Sequence, residues 1–264
     1  MKRTITALAA TAAAAAIALS GCSSTSGDST GGDSSPAAKQ KLTVYAAASL
    51  TKTFTELGKD FEKSHAGVAV TFDFDGSSTL VTQLAQGAQA DVFASADEKN
   101  MQNAVSQTLI AGKPVDFATN VLEIATPPGN PAGIAAFADL AKPGIKTVVC
   151  ADGVPCGNAV EQVEKNTGVA LKPISQEQSV TNVLAKVESG DADAGVVYVT
   201  DVTAAGDKVT GVQFPEAQQA VNTYPIAVTR ASTQSDLAKK FVAYVTGTDG
   251  QQTLAEAGFG APQK

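Results

Sequence analysis

The chain has 264 residues, 44% of them hydrophobic and 17% charged, with a formal net charge of −7 and a single histidine. That balance is globular rather than disordered, and its acidic sign argues against nucleic acid as a partner. One histidine and three cysteines, none grouped with metal spacing, leave little for a metal centre or for histidine-dependent catalysis.

Lys2 and Arg3 precede an alanine-rich apolar run to Leu19, followed by Ser20-Gly21-Cys22. A basic start, a short apolar stretch and a small-residue cleavage site read as a signal peptide over residues 1–21. Leu19-Ser20-Gly21-Cys22 also resembles a bacterial lipobox, which implies cleavage before Cys22 and acylation of its thiol. The plainer alternative is an ordinary leader followed by a stray cysteine. Loss of the leader removes Lys2 and Arg3 and takes the side-chain charge from −7 to −9. Ser23 to Ala38 holds no apolar residue larger than alanine. It cannot bury enough surface to order itself, so residues 22–39 read as a lipidated cysteine and a flexible tether. No later run is long and apolar enough for a transmembrane helix. The remainder, about 225 residues, suffices for two lobes or one large domain.

Leu42 to Tyr45 reads as a short buried strand. Ala46-Ala47-Ala48 then gives a small-residue turn, and Ser49 is expected to cap a helix with Leu50, Phe54, Leu57 and Phe61 at helical spacing. A helix start offers free N–H groups and partial positive charge, hence an anion site, although a serine there commonly does no more than cap. His65 follows in a polar turn. A helix of about four turns sets it roughly 20 Å from Ser49, so it reads as a solvated loop residue and not as the base of a Ser-His-Asp hydrolase.

Val68 to Phe74 alternates like a second strand, and Asp75-Gly76-Ser77-Ser78-Thr79-Leu80 opens a second helix through Leu84. Two parallel strands joined by a crossover helix place both turns at one sheet edge, where open α/β sheets bind ligands. Asp75 is expected to point away from that edge. Ala90 to Ser95 is a third strand. Asp97 and Glu98 then start a helix with acids in its first turn, a structural arrangement, in contrast to the acid-free turns at Ser49 and Ser77. Strands follow at 121–125, 147–150, 193–198 and 224–228. Helices are expected at 137–140, from about Asn158 to Asn166, from Ser179-Val180, from 235 to 245 and from 250 to 257. The helix starts at Cys156 and Val180 again lack an acid in the immediate turn.

Taken together, Ala46-Ala47-Ala48-Ser49-Leu50, Gly76-Ser77-Ser78-Thr79-Leu80, Ala90-Asp91-Val92-Phe93-Ala94-Ser95-Ala96-Asp97 and Gly195-Val196-Val197-Tyr198 resemble the molybdate-binding proteins of ABC importers, from about Leu42 to Phe259. The resemblance implies an α/β, two-lobed periplasmic-binding-protein fold, each lobe a mostly parallel sheet flanked by helices, joined by two crossing segments. Lobe one would comprise residues 40–119 and 224–264, and lobe two residues 120–223. It further implies that Ser49 and Ser77 donate through hydroxyl and N–H, Cys156 and Val180 through backbone N–H, and Tyr198 through its phenol. By side chain alone, Tyr198 reads as a core strand residue.

Molybdate is a fully deprotonated tetrahedral dianion with acceptor oxygens only, so hydroxyl and helix-start donors suit it without a buried countercharge. The expected function is that of an exported lipoprotein on the outer face of the cytoplasmic membrane. It would be a monomer without cofactor or enzymatic activity, capturing molybdate and tungstate for a membrane permease. A receptor for sulfate or another tetrahedral oxyanion is the alternative, and a lipid-anchored serine hydrolase a more distant one. With Cys22 acylated, Cys150 and Cys156 are left as an even pair in an oxidising setting. Gly153 and Pro155 between them suit the reversal a disulfide needs.

Overall fold

The computed structural model describes residues 39–262. The leader, Cys22 and nearly all of the tether lie outside the described residues. β1 (Gln40–Ala47) leads through a three-residue 3-10 turn, Ala48–Leu50, into α1 (Thr51–Ser64). Ser49 is therefore not a helix cap. It sits inside the 3-10 turn, and Thr51 begins the α-helix by donating its hydroxyl to the Ala48 carbonyl at 2.6 Å. β2 (Val68–Asp75), α2 (Ser77–Ala85), β3 (Val92–Ala94) and α3 (Glu98–Ser106) follow. Asp97 caps α3, accepting from the Asn100 N–H at 2.9 Å.

β4 (Ile110–Asn120) runs almost directly into β5 (Leu122–Thr126), and a 3-10 turn at Phe137–Ala141 leads to β6 (Thr147–Cys150). α4 (Pro155–Thr167) starts three residues before the expected Asn158, because Pro155 occupies its first position, where a missing N–H costs nothing. The helix stops at Gly168, in the left-handed region with φ 71°. β7 (Ser175–Glu177), α5 (Val180–Glu188), β8 (Ala194–Tyr198), α6 (Val199–Ala205) and β9 (Thr210–Val212) complete this part. The chain returns through β10 (Asn222–Thr229) to α7 (Ser235–Thr246) and α8 (Thr248–Glu256).

These strands form two five-stranded mixed sheets, ordered β2-β1-β3-β10-β4 and β7-β6-β8-β5-β9. In each, three strands run parallel and the other two ladders are antiparallel. The chain crosses between sheets twice, at Val121 and ahead of Asn222, and the crossing strands pair side by side at Asn120 and Asn222. The sheets with their helices form the two lobes.

Alternation puts Leu42, Val44 and Ala46 on one face of the first sheet, each 0% exposed. α1, α7 and α8 cover that face, where Phe54 meets Phe117, with ring centroids at 5.6 Å, and Phe241 at 6.3 Å. Burying one such ring stabilises the fold by about 1.5–3 kcal/mol. Phe93 points to the opposite face, against Leu80, Leu84 and Met101 of α2 and α3. His65 ends α1 with its ring stacked on Phe61 at 4.0 Å, at the far end of the helix from Ser49. The second lobe has one core, built on Ile124, Val148, Val163, Val183 and Val196, and Ala48 of the first lobe packs into it.

Candidate functional site

The carboxyl ends of the parallel strands in both sheets face each other. There Ser77, Cys156, Val180 and Tyr198 line one small space with Ala47, Ala48 and Gly76. The space is about 10 Å³, roughly what one water requires. The approach depends on small residues. A Cβ on Gly76 would stand 2.0 Å from the Gln178 carbonyl oxygen of the other lobe.

Ser77 is the first residue of α2 and is 0% exposed. Its Oγ accepts from the Ala96 N–H at 3.0 Å, which leaves its own proton free to donate. Cys156 is the second residue of α4, and Val180 the first of α5 after its cap Ser179. The leading N–H groups of a helix have no partner within it. No acid stands in the first turn of α2, α4 or α5, whereas α3, α6, α7 and α8 each carry one. Three positive helix ends without a compensating carboxylate thus converge on the space. Asp75 is spent locally, accepting from the Gly76 N–H at 2.7 Å, and does not line the space.

Tyr198 closes β8 and is 1% exposed, yet its hydroxyl has no hydrogen-bond partner. A buried unpaired hydroxyl costs about 1–3 kcal/mol, and this one is free to donate to an acceptor that enters the space. Burial first, then the neighbouring Tyr224 phenol and the negative charge of Asp97 and Asp201, push its pKa well above that of a free phenol, and it stays neutral.

Ser49 differs from the other four. Its Oγ lies 3.0 Å from the Tyr224 hydroxyl, and it borders an adjoining groove of about 600 Å³ with Lys52, Glu56 and Asp201. Asn120 Nδ2 donates to the Tyr224 oxygen at 3.4 Å. Either hydroxyl can donate in this pair, and with Tyr224 as the donor the Ser49 proton is unspent. Sequence reading found Asn120 and Tyr224 only as crossing points. Their supporting role requires the crossing strands to lie together, which no local pattern encodes.

Cys150 and Cys156 are joined, with Cα atoms 5.6 Å apart, around a loop whose Gly153 takes φ +84°. Among the described residues, no group of three His, Cys, Asp or Glu side chains could hold a metal ion, and no helix is long and apolar enough to cross a membrane.

Asp201 accepts from the Tyr198 N–H at 2.9 Å, and burial raises its pKa to about 7. A carboxyl raised in the folded state holds its proton more tightly there. Its cost is therefore absent below the ordinary carboxylate pKa, grows as pH rises toward 7, and is complete above it. Asp201→Asn keeps an acceptor for that N–H and removes the charge. It is expected to raise stability by up to about 4 kcal/mol above pH 7 and by almost nothing near pH 4. Urea unfolding at both pH values checks this, and an equal effect at both would contradict it.

A sequence model of the family described as bacterial extracellular solute-binding protein matches residues 42–260. The molybdate-binding protein ModA of Mycobacterium tuberculosis is 49% identical over 233 residues, covering 87% of this chain and 89% of the relative. ModA of Escherichia coli is 31% identical over 238 residues, covering 84% and 90%. The solved periplasmic molybdate-binding protein of Azotobacter vinelandii superposes with a TM-score of 0.74 at 25% identity, over 84% of this chain and 100% of that one. The sulfate-binding protein SubI of M. tuberculosis shares the fold, with a TM-score of 0.72 at 20% identity over 83% and 86% of the two chains. The chain belongs to the bacterial extracellular solute-binding proteins, in the branch formed by the molybdate-binding ModA proteins.

Proposed function

We propose that this protein captures molybdate, and tungstate with it, in the cleft between its lobes and delivers it to the permease of an ABC importer. The observation that carries this is the convergence of uncompensated donors on one small space that no Lys or Arg lines. Ser77 and Tyr198 offer hydroxyl protons, Cys156 and Val180 offer backbone N–H, and Ser49 adds its hydroxyl from the adjoining turn. An anion with acceptors only can use every one of them. A protonated oxyanion such as phosphate would strand its proton among donors. Ser77, Cys156, Val180 and Tyr198 are all buried, so an oxyanion reaches them only when the lobes part, and binding is coupled to hinge movement about the two crossing strands. Lobe one is taken as residues 40–119 and 224–264 and lobe two as 120–223; the first sheet itself takes in Asn120, Asn222 and Thr223, one or two residues beyond those bounds.

The ligand is cargo and not a cofactor, and the protein acts without catalysis. The one histidine stands at the opposite end of α1 from Ser49, out of reach as a base. Residues 1–21 are a leader, and Cys22 is acylated. The monomeric receptor is held by its tether to the outer face of the cytoplasmic membrane. In that oxidising setting Cys150 and Cys156 persist as a disulfide, which fixes the turn presenting the Cys156 N–H. Intact mass of the membrane-extracted protein should show acyl chains on Cys22 and no alkylatable thiol after unfolding. An unacylated Cys22, or two free thiols, contradicts the corresponding part.

Ser49→Ala and Ser77→Ala each remove a hydroxyl donor to a charged acceptor. Each is expected to weaken molybdate binding by about 1.5–3 kcal/mol in titration calorimetry. Without ligand, Ser77→Ala strands the buried Ala96 N–H and should lower stability by about 1–3 kcal/mol, and Ser49→Ala, which removes the partner of the Tyr224 hydroxyl, by about 1 kcal/mol. Unchanged affinity in both variants would place the site elsewhere.

A further inference from the structure

Beside the donor-lined space, and outside its lining, a second set of polar contacts joins the lobes. Asp97 and Asn100 of the first lobe are 8% and 2% exposed. Asp97 Oδ1 accepts from the Asn100 N–H and from Asn100 Nδ2, both at 2.9 Å, while Oδ2 accepts from Asn158 Nδ2 of the second lobe at 2.8 Å. Asn100 Nδ2 donates to the Gly153 carbonyl at 3.0 Å, and Lys99 Nζ donates to Asn158 Oδ1 at 2.9 Å. Three cross-lobe hydrogen bonds therefore meet on Asp97, Asn100 and Asn158, and none of the three residues lines the ligand space.

The turn that carries Asp97 is tied to both the site and the hinge. The N–H of Ala96 donates to Ser77 Oγ at 3.0 Å, and the Ala96 carbonyl accepts from Asn222 Nδ2 at 2.8 Å, at the second crossing strand. On the other side, Gly153 lies in the loop closed by Cys150 and Cys156, whose far end supplies the Cys156 N–H. The network thus links a donor turn of each lobe at a point next to the hinge. Contacts so close to the axis fix the angle between the lobes and do not seal the mouth of the cleft. Asp97 has amide donors and no direct cation partner, so parting the lobes exchanges its Asn158 contact for water. This opposes opening without any ligand present.

We propose that Asp97, Asn100 and Asn158 form a latch that sets the inter-lobe angle at which the oxyanion donors converge, making them positioning residues that slow ligand release without touching the ligand. This rests on the oxyanion-receptor reading above. The latch preorganises the closed arrangement, so that less ordering remains to be done on binding.

Asn158 is only half-buried, so its substitution spares the core. With Asn158→Ala, the dissociation rate of molybdate in stopped-flow should rise about tenfold with an association rate that does not fall, since Asn158 gives up its hydrogen bonds to the Asp97 carboxylate and from the Lys99 ammonium. Small-angle scattering should give a larger radius of gyration than wild type without ligand, and the ligand-free melting temperature should hold. Asn158→Asp sets a second carboxylate against Asp97 and should exceed the alanine variant in both readouts. Identical scattering and release rates in wild type and both variants would overturn the latch, while loss of binding in Ser77→Ala would still stand for the receptor reading. If wild type binds no oxyanion, that reading fails, and the ligand-free scattering comparison alone still decides the latch.

Discussion

Gly76→Ala is expected to abolish tight oxyanion binding while leaving the protein folded. Gly76 has φ −58° and ψ 136°, a conformation open to any residue, so the backbone is not strained by a side chain. The obstacle is the other lobe, because the new Cβ would lie 2.0 Å from the Gln178 carbonyl oxygen and 3.5 Å from a Val154 methyl. The lobes must stand apart, and an anion held by Ser77 then loses Cys156, Val180 and Tyr198. Three hydrogen bonds to a charged acceptor, each worth about 1.5–3 kcal/mol, correspond to a loss of about a thousandfold or more. Replacing a glycine cap by alanine costs the helix no more than about 1 kcal/mol. The expected pattern is a nearly unchanged ligand-free melting temperature with no upward shift on adding molybdate. A wild-type shift in this variant would show that the lobes need not meet at Gly76.

Tyr198→Phe should move stability and affinity in opposite directions. The hydroxyl is buried without a partner, so deleting it relieves an unpaired group. Ligand-free stability should hold or rise, by up to about 1–3 kcal/mol. Binding loses a donor to a dianion, about 1.5–3 kcal/mol or roughly 10- to 100-fold in affinity. A tyrosine serving only the core would behave otherwise, with stability falling and affinity unaffected. Chemical denaturation and calorimetry on one preparation separate the two cases.

The parts of this architecture that were legible in sequence are those where one strand and the next helix carry the pattern together. β1 and β2 show it by alternation, and α1 by Phe54, Leu57 and Phe61, all 0% exposed. The acid-free starts of α2, α4 and α5 could be read residue by residue, and they face the donor-lined space. β4 could not. Its outer half, Ala111-Gly112-Lys113, is exposed and has no alternation, and it joins β10 through backbone pairing with two register shifts. β7 and β9 are three residues long, too short for any period to show. α6 carries only two buried residues, Thr200 and Asp201, so no apolar stripe announces it.

At the site, Ser49 was placed one role off. A 3-10 turn inserts itself between strand and helix because Thr51 bonds back to Ala48, a choice that the helical spacing from Leu50 onward conceals. The early start of α4 had a readable signal in Pro155. Asp97 looked structural in sequence and is a helix cap, yet its other oxygen reaches Asn158, 61 residues away. Contacts made only when two lobes meet have no local signature. Gly76 belongs with them, since the carbonyl that demands a glycine lies on the opposite sheet.

The central claim is that the converging donors hold a proton-free tetrahedral dianion, and the most direct measurement is the melting temperature of the tether-free chain, residues 39–264, titrated with molybdate, tungstate, sulfate, phosphate and ferric ion. A ligand that binds only the folded state at a hundred times its Kd stabilises it by about 2.7 kcal/mol, which gives a shift of roughly 5–11 °C for a chain of this size. The account predicts a saturable rise with molybdate and tungstate, a weak one with sulfate, and none with phosphate or ferric ion. A rise with sulfate equal to that with molybdate would change the cargo, and no rise with any oxyanion would contradict the claim itself.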